Sequence, residues 1–255
     1  MNNVFSKRVT RSFDRASSSY LPAARLQQQV ARDALQYLPL SQHKLIDLGC
    51  GPGWLHPELA GRCQQLVAVD LSDGMLQQAA LQQYAVQYIK ADAASLPFTA
   101  HYADSLFSSL MLQWCAEPAQ VLHEVSRVLK PGGTAVITTL LKGTLAELES
   151  AFAALDDKPH IHHFLAAEQL MAAAEQPDMQ WQFYIKPYTL YYPDVFGLLQ
   201  ELKALGANQL SGRRQGLTGK SYWQKLAAEY EQFRCASGVP AQYQVMFLYG
   251  SKKEN

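Results

Sequence analysis

A chain of 255 residues, 48% of them hydrophobic, has length and apolar content for one large α/β domain with a substantial core. Lys and Arg total 22 and Asp and Glu total 22, so no global basic field holds nucleic acid, and a charged partner must meet a local patch. The four cysteines form no C-x-x-C pair, the first residues show no signal core, and no apolar run nears the roughly 20 residues of a membrane span, so a cytoplasmic protein without zinc or a disulfide framework is expected.

Residues 1–40 read as a separate helical segment that covers the site. Phe13, Ala16 and Tyr20 sit among Arg11, Arg15 and a serine run, and a helix over 23–37 places Leu26, Val30, Ala34 and Leu38 on one face. Pro22 suits its first turn. Tyr20 and Gln27 are the polar residues of interest there. Strands and helices then alternate, with strands expected at 44–48, 66–70, 86–90, Ala103–Ser109 and 134–140. One helix opens at the capping Ser72. Another covers 119–129 and is stopped by Pro131-Gly132-Gly133. Regular βαβ alternation predicts a parallel, doubly wound sheet with right-handed crossovers, whose ligands bind at the carboxyl ends of the strands. Beyond residue 140 the alternation loosens, with helices at 144–155 and 167–175, strands at 180–191 and 242–249, and helices at 195–205 and 222–234 between those strands. About fifty residues is too long for a bare loop, so this stretch reads as a helical lid inserted between strands six and seven. The expected units are 1–40, a core of 41–191 with 240–251, and a lid of 192–239.

The most informative stretch is Leu45-Ile46-Asp47-Leu48-Gly49-Cys50-Gly51-Pro52-Gly53. A strand ends near an aspartate, three glycines alternate, and a helix begins. Glycine suits a turn needing positive φ or close ligand approach, and the helix N-terminus beyond offers free N–H groups. The spacing is G-x-G-x-G, whereas a dinucleotide fingerprint reads G-x-G-x-x-G. About twenty residues later an acid, Asp70, ends the next strand. This combination resembles the class I S-adenosylmethionine (SAM) methyltransferases, which implies a Rossmann-like α/β fold with a seven-stranded, mostly parallel sheet. The resemblance also implies that Asp47, Gly49, Cys50, Gly51 and Gly53 cradle the amino-acid end of SAM. Asp70, followed by Leu71, would accept the ribose hydroxyls, and Asp92 with Ala93 would meet the adenine. Ser109 and Leu110 would lie under the sulfonium, and Gln27 is a further cofactor candidate.

The flanks narrow the family. Phe13-x-x-Ala16-x-x-x-Tyr20, Leu26-Gln27, Ser109-Leu110-Met111-Leu112-Gln113-Trp114, His163-Phe164-Leu165, the block 202–220, and Pro240 with Tyr243 and Val245 resemble the malonyl-acyl-carrier-protein O-methyltransferases of biotin synthesis. That resemblance implies methylation of the free carboxylate of a malonyl thioester, on acyl-carrier protein or CoA, with S-adenosylhomocysteine as the other product. Tyr20, Trp114 and Tyr243 are candidates for the transfer site, with Arg213 or Arg214 holding the carboxylate. Phe164, Lys203, Arg214 and Lys220 are candidates for substrate and carrier contact, because the lid holds an excess of cations suited to an acidic carrier. His160, His162 and His163 have no companion spaced to complete a metal site, so no metal is expected. A monomer is expected. The alternatives are a SAM-dependent methyltransferase of another small carboxylic acid or quinone precursor, and a non-catalytic SAM-binding partner protein.

Overall fold

The computed structural model describes residues 2–17, 19–207 and 219–254. Helices α1 (Asn2–Ala16), α2 (Tyr20–Ala23) and α3 (Arg25–Ala34) precede the first strand. The chain continues as β1 (Gln42–Leu48), α4 (His56–Ala60), β2 (Cys63–Asp70), α5 (Asp73–Ala80), β3 (Gln87–Lys90), β4 (Ala103–Ser109), α6 (Pro118–Val128) and β5 (Leu129–Leu140). It ends with α7 (Ala146–Ala153), α8 (Ala167–Ala174), β6 (Met179–Tyr192), α9 (Val195–Ala204), α10 (Lys220–Glu231) and β7 (Val239–Lys252). The seven strands form one sheet in the order β3-β2-β1-β4-β5-β7-β6. The first five pair in parallel, and β7 runs antiparallel to both β5 and β6.

The inner parallel strands β1, β2, β4 and β5 are buried on both faces over most of their length, as a parallel sheet with helices on each side requires. Side chains alternate along β1, so Leu45 joins the apolar cluster of one face while Ile46 and Leu48 join that of the other. On the first face α3 contributes Leu26, Val30 and Ala34, spaced at helical period. On the second, α6 contributes Val121, Leu122, Val125 and Val128. Arg127, on the same helix, is structural: it bonds Glu124 and the carbonyls of Leu96 and Phe98. No helix among the described residues is long and apolar enough to cross a membrane.

Several boundaries differ from the sequence expectation, the following most clearly. The single helix expected over 23–37 is broken into α2, α3 and a 3-10 turn over Leu35–Tyr37, and Pro22 belongs to α2. β5 starts directly at Leu129, because Ala103 pairs with Leu129 before the ladder resumes at Ser105 and Thr134. Lys130, Pro131, Gly132 and Gly133 are thereby carried as an irregularity inside a strand, with Lys130 Nζ held 2.7 Å from Asp104 Oδ1. Finally, β6 and β7 are 14 residues each and stay in register from Met179 opposite Lys252 to Tyr192 opposite Val239. Their prolines sit where a sheet tolerates them, Pro187 on an edge strand and Pro240 at a strand start.

This pairing places the ends of the segment between β6 and β7. Leu140, the last residue of β5, lies opposite Val245, so the first residues of β7 run past the carboxyl end of β5. The segment between Tyr192 and Val239 therefore leaves and returns on the side of the sheet where β1 to β5 end. α9 and α10 rise from the edge at which an open α/β sheet binds its ligands.

Candidate active site

The turn after β1 is built almost wholly from backbone. The N–H groups of Gly49 and Cys50 donate to the Val69 carbonyl at 2.8 and 3.0 Å, and that of Gly51 donates to Asp70 Oδ2 at 2.9 Å. The N–H groups of Gly49, Cys50 and Gly51 are thus used inside the protein. The helix that follows, α4, has only five residues. Gly51 lies at φ +54°, and a Cβ there would meet nothing within 4 Å, so the loop shows bare backbone to open space. Gly53, at φ +74°, is glycine for packing: a Cβ would stand 2.6 Å from Nδ1 of the fully buried His56. Nε2 of His56 approaches Asp47 Oδ2 at 3.3 Å without hydrogen-bond alignment, so Asp47 and His56 form the layer beneath the turn.

Asp70 clamps this turn while keeping an edge open to the cavity above it. Oδ2 accepts from Gly51 and Oδ1 accepts from the Ser72 N–H at 2.8 Å. Burial raises its pKa to about 6, partly offset by those two donors and reinforced by the charge of Asp47. A carboxylate has about four acceptor sites, so two remain for hydroxyl donors.

The cavity above has a volume of about 190 Å³. Its lining includes Gly49, Gly51, Asp70, Leu71, Asp92, Ala93, Ser109 and Leu110, with Phe13 and Tyr20 from the N-terminal segment. Among the described residues its wall carries three carboxylates, Asp70, Asp92 and Glu117, and no lysine or arginine. An acid-rich wall whose loop donors are already spent suits a cationic ligand with hydroxyls and opposes a pyrophosphate. The donor set therefore fits SAM, a sulfonium and ammonium with a ribose, better than it fits a dinucleotide.

A second cavity, of about 430 Å³, adjoins the first. Phe13, Tyr20, Leu110 and Trp114 line both. Phe13 stands edge-on to Trp114, with ring centroids 5.6 Å apart, and lies 6.5 Å from Tyr20. The remaining wall is mainly apolar, with Leu26, Leu145, Leu148, Phe152, Phe164 and Leu202 among its residues. Its described charged groups are Glu201, Lys203 and the histidines His160 and His162. Glu201 is already engaged, accepting from Tyr192 at 2.7 Å and from Arg25 at 2.8 Å. His160 lies 2.6 Å from Asp156, whose pKa it lowers to about 2, and the Tyr222 hydroxyl donates to the same carboxylate at 3.0 Å. Burial pushes the phenol pKa of Tyr20 and of Tyr243 upward, with the Asp70 charge adding at Tyr20 and Tyr192 at Tyr243.

A methyltransferase-domain profile matches residues 46–137. A malonyl-acyl-carrier-protein O-methyltransferase of Gallionella capsiferriformans is 34% identical over 266 residues, covering 96% of this chain and 90% of that protein. This chain belongs to the malonyl-acyl-carrier-protein O-methyltransferase family. The biotin biosynthesis bifunctional protein BioHC of Cellvibrio japonicus is 40% identical over 96% of this chain, but the chain spans only 50% of that relative's length. A solved structure of a Haemonchus contortus phosphoethanolamine N-methyltransferase, in complex with S-adenosylhomocysteine, shares the fold at 19% identity and a TM-score of 0.56, covering 89% of this chain and 53% of its own.

The residues expected from the sequence divide by where the structure places them. Gly49, Gly51, Asp70, Leu71, Asp92, Ala93 and Ser109 line the first cavity, and Tyr20, Leu110 and Trp114 stand on its boundary with the second. Gln27, Phe164, Lys203 and Tyr243 line the second cavity, so the structure sets Gln27 apart from the other cofactor candidates. Asp47, Cys50 and Gly53 lie outside both linings, with Asp47 and Cys50 buried below the turn, and Lys220 is exposed at the start of α10. Arg213 and Arg214 lie outside the described residues. Sequence reading passed over Val9 and Thr10 in the first cavity, and Thr144, Leu145 and Leu148 in the second. None carries a motif: each is brought in by tertiary packing from a segment whose own pattern is that of an ordinary helix or turn.

Proposed function

We propose that the protein transfers the methyl group of SAM to the free carboxylate of malonyl-acyl-carrier protein, with malonyl-CoA as the smaller substitute, giving the methyl ester that starts pimeloyl synthesis for biotin. The single observation that carries this reading is the shared wall of Phe13, Tyr20, Leu110 and Trp114, where an acid-lined cofactor cavity meets a mainly apolar one. SAM supplies a sulfonium-bound methyl group. A malonyl carboxylate is ionised at pH 7 and needs no general base. Tyr20, whose phenol burial keeps protonated, serves as a neutral donor that orients the carboxylate, and Tyr243, whose hydroxyl is bonded to Tyr192, walls the site. Charge is lost when an anion attacks a sulfonium, so the weakly polar wall favours transfer more than a strong cation would. Alignment of the two reactants is worth about 7–11 kcal/mol.

In this reading α9 and α10 form the lid over the second cavity, and exposed Lys203, Lys220 and Lys225 are its docking cations for an acidic carrier, joined by Arg213 and Arg214. Arg234 contributes less, since its guanidinium is paired with Glu231 at 2.5 and 2.7 Å. The protein acts as a cytoplasmic monomer. Mass spectrometry of malonyl-acyl-carrier protein after incubation with SAM tests the proposal. One added methyl on the malonyl group is expected; an unmodified malonyl group beside a methylated alternative acid would overturn the substrate assignment.

A further inference from the structure

Leu110 combines two features. It lines both cavities, and its backbone lies at φ +51°, in the left-handed region that a leucine adopts only under constraint. Such a conformation is strained for a leucine and persists where surrounding bonds over-determine it. Here they do. The Leu110 N–H donates to the Thr138 carbonyl at 3.0 Å and to Thr138 Oγ1 at 3.1 Å. The Leu110 carbonyl accepts from Nε2 of Gln113 at 2.6 Å. Gln113 is itself held on two further sides: Oε1 accepts from Thr139 Oγ1 at 3.1 Å, and its main-chain carbonyl accepts from His162 Nε2 at 2.9 Å.

Thr138 and Thr139 are buried neighbours near the end of β5, and their side chains point to opposite faces of the sheet. One holds the amide end of the Leu110 turn and the other holds the glutamine that caps its carbonyl end. His162, tied to the same glutamine, lies 4.9 Å from the Trp114 ring. Gln113 is therefore the point where the turn after β4, the end of β5 and the 154–166 segment of the second cavity are joined.

We propose that Gln113 is a positioning residue for methyl transfer, acting through Leu110 and Trp114 to set the line between sulfonium and carboxylate. The inference rests on the function proposed above and assigns that site its alignment device. Both ends of the Leu110 peptide are bonded, so the turn cannot relax to an ordinary conformation while either cavity is being filled. Alignment is a transition-state requirement, so loss of the device should lower kcat and leave ground-state binding of SAM nearly intact.

The test is Gln113→Leu, with Thr139→Val as the milder partner and Gln113→Glu as the rescue probe. Malonyl-acyl-carrier protein turnover, SAM affinity by calorimetry and melting temperature are measured on each. Gln113→Leu is expected to lower kcat at least tenfold with SAM affinity within about threefold, and Thr139→Val to lower it several-fold. Gln113→Glu should lose activity at pH 8 and regain part of it towards pH 5, relative to wild type, because only the protonated carboxyl can donate to the Leu110 carbonyl. Undiminished kcat in a folded Gln113→Leu protein overturns the inference, as does a loss of SAM affinity equal to the loss of kcat. Wild-type protein that fails to methylate the malonyl group overturns the proposed function itself.

Discussion

The two cavities are made by different means. The cofactor side is backbone turns and acids at the ends of consecutive parallel strands, so its parts are close in sequence and evenly spaced: the glycine turn after β1, Asp70 after β2, Asp92 after β3 and Ser109 after β4. The second cavity is side chains from α3, the β4 exit, α7, the 154–166 segment, α9, α10 and β7, which span most of the chain. A site made of strand ends leaves a motif, while a site made of packed apolar side chains leaves only a hydrophobic pattern that any core would leave. The comparison predicts that damage on the first side falls on cofactor affinity and damage on the second falls on turnover of the acyl substrate.

The largest expected effect is at Asp70, which both clamps the glycine turn and faces the ligand. Asp70→Ala unpairs the Gly51 and Ser72 N–H groups and removes the ribose acceptor. At about 1.5–3 kcal/mol per hydrogen bond to a charged group, SAM affinity should fall by on the order of 100-fold or more, measured by calorimetry. Retained affinity would place the ribose elsewhere. The same carboxyl makes binding pH-dependent. Its pKa stands at about 6 against an ordinary 3.8, so the folded protein holds this proton more tightly than the unfolded chain. The stability from that proton is full below pH 4 and is lost as pH rises through 6, a change of about 3 kcal/mol. Ribose hydroxyls donate to the charged form, so bound SAM pulls the pKa back down. SAM affinity should therefore be full above pH 6 and weaken below it, and Asp70→Asn should flatten that dependence.

The next contrast is between two glycines of the same turn. Gly51→Ala places a methyl group in open cavity at a left-handed backbone, so stability should fall by about 1–2 kcal/mol and SAM affinity by at least tenfold. Gly53→Ala drives a methyl against buried His56, so its cost should appear mainly as a lower melting temperature. Two variants equal in both readouts would erase the distinction between cradle and packing.

The same division governs how much was legible in the sequence. Regular βαβ alternation foretold the parallel sheet, and Asp47-x-Gly49-x-Gly51-x-Gly53 foretold the turn after β1, because backbone geometry dictates those residue types locally. It did not foretell that Asp70 would consume the Gly51 N–H, since a hydrogen bond between neighbouring strand ends depends on their separation in space. β6 and β7 were legible as strands, but their ends were not: an unbroken antiparallel register carries each strand past residues whose own preference is weak. Gln113 and Trp114 were recognisable by resemblance, yet the paired threonines that hold the Leu110 turn were not, because Thr138-Thr139 reads as two ordinary strand residues.

On the second side, Tyr243→Phe keeps the ring and its packing and removes one donor. Tyr243 is buried, lines the cavity and is bonded to Tyr192, which in turn donates to Glu201. Turnover of malonyl-acyl-carrier protein, as kcat/KM, should fall about five- to tenfold, the loss of one neutral hydrogen bond, with SAM affinity unchanged. A matching loss of SAM affinity would show that the two cavities are not energetically separate.

The smallest effect belongs to the rim. Lys203 is exposed at the edge of the second cavity, on the helix whose end meets the N-terminal segment through the Ser19 hydroxyl and the Ala204 carbonyl at 3.0 Å. A charge in that position steers an acidic carrier without touching the malonyl group. Lys203→Glu should therefore raise KM for malonyl-acyl-carrier protein about two- to fivefold at low salt, through slower association, and leave malonyl-CoA methylation less affected. Screening shortens the reach of surface charge to about 8 Å at physiological ionic strength and about 3 Å at 1 M, so the difference between variant and wild type should shrink as salt is added. A defect that persists at high salt, or that is equal for the two thioesters, would mean that Lys203 acts by lining the cavity and that the carrier docks on another face.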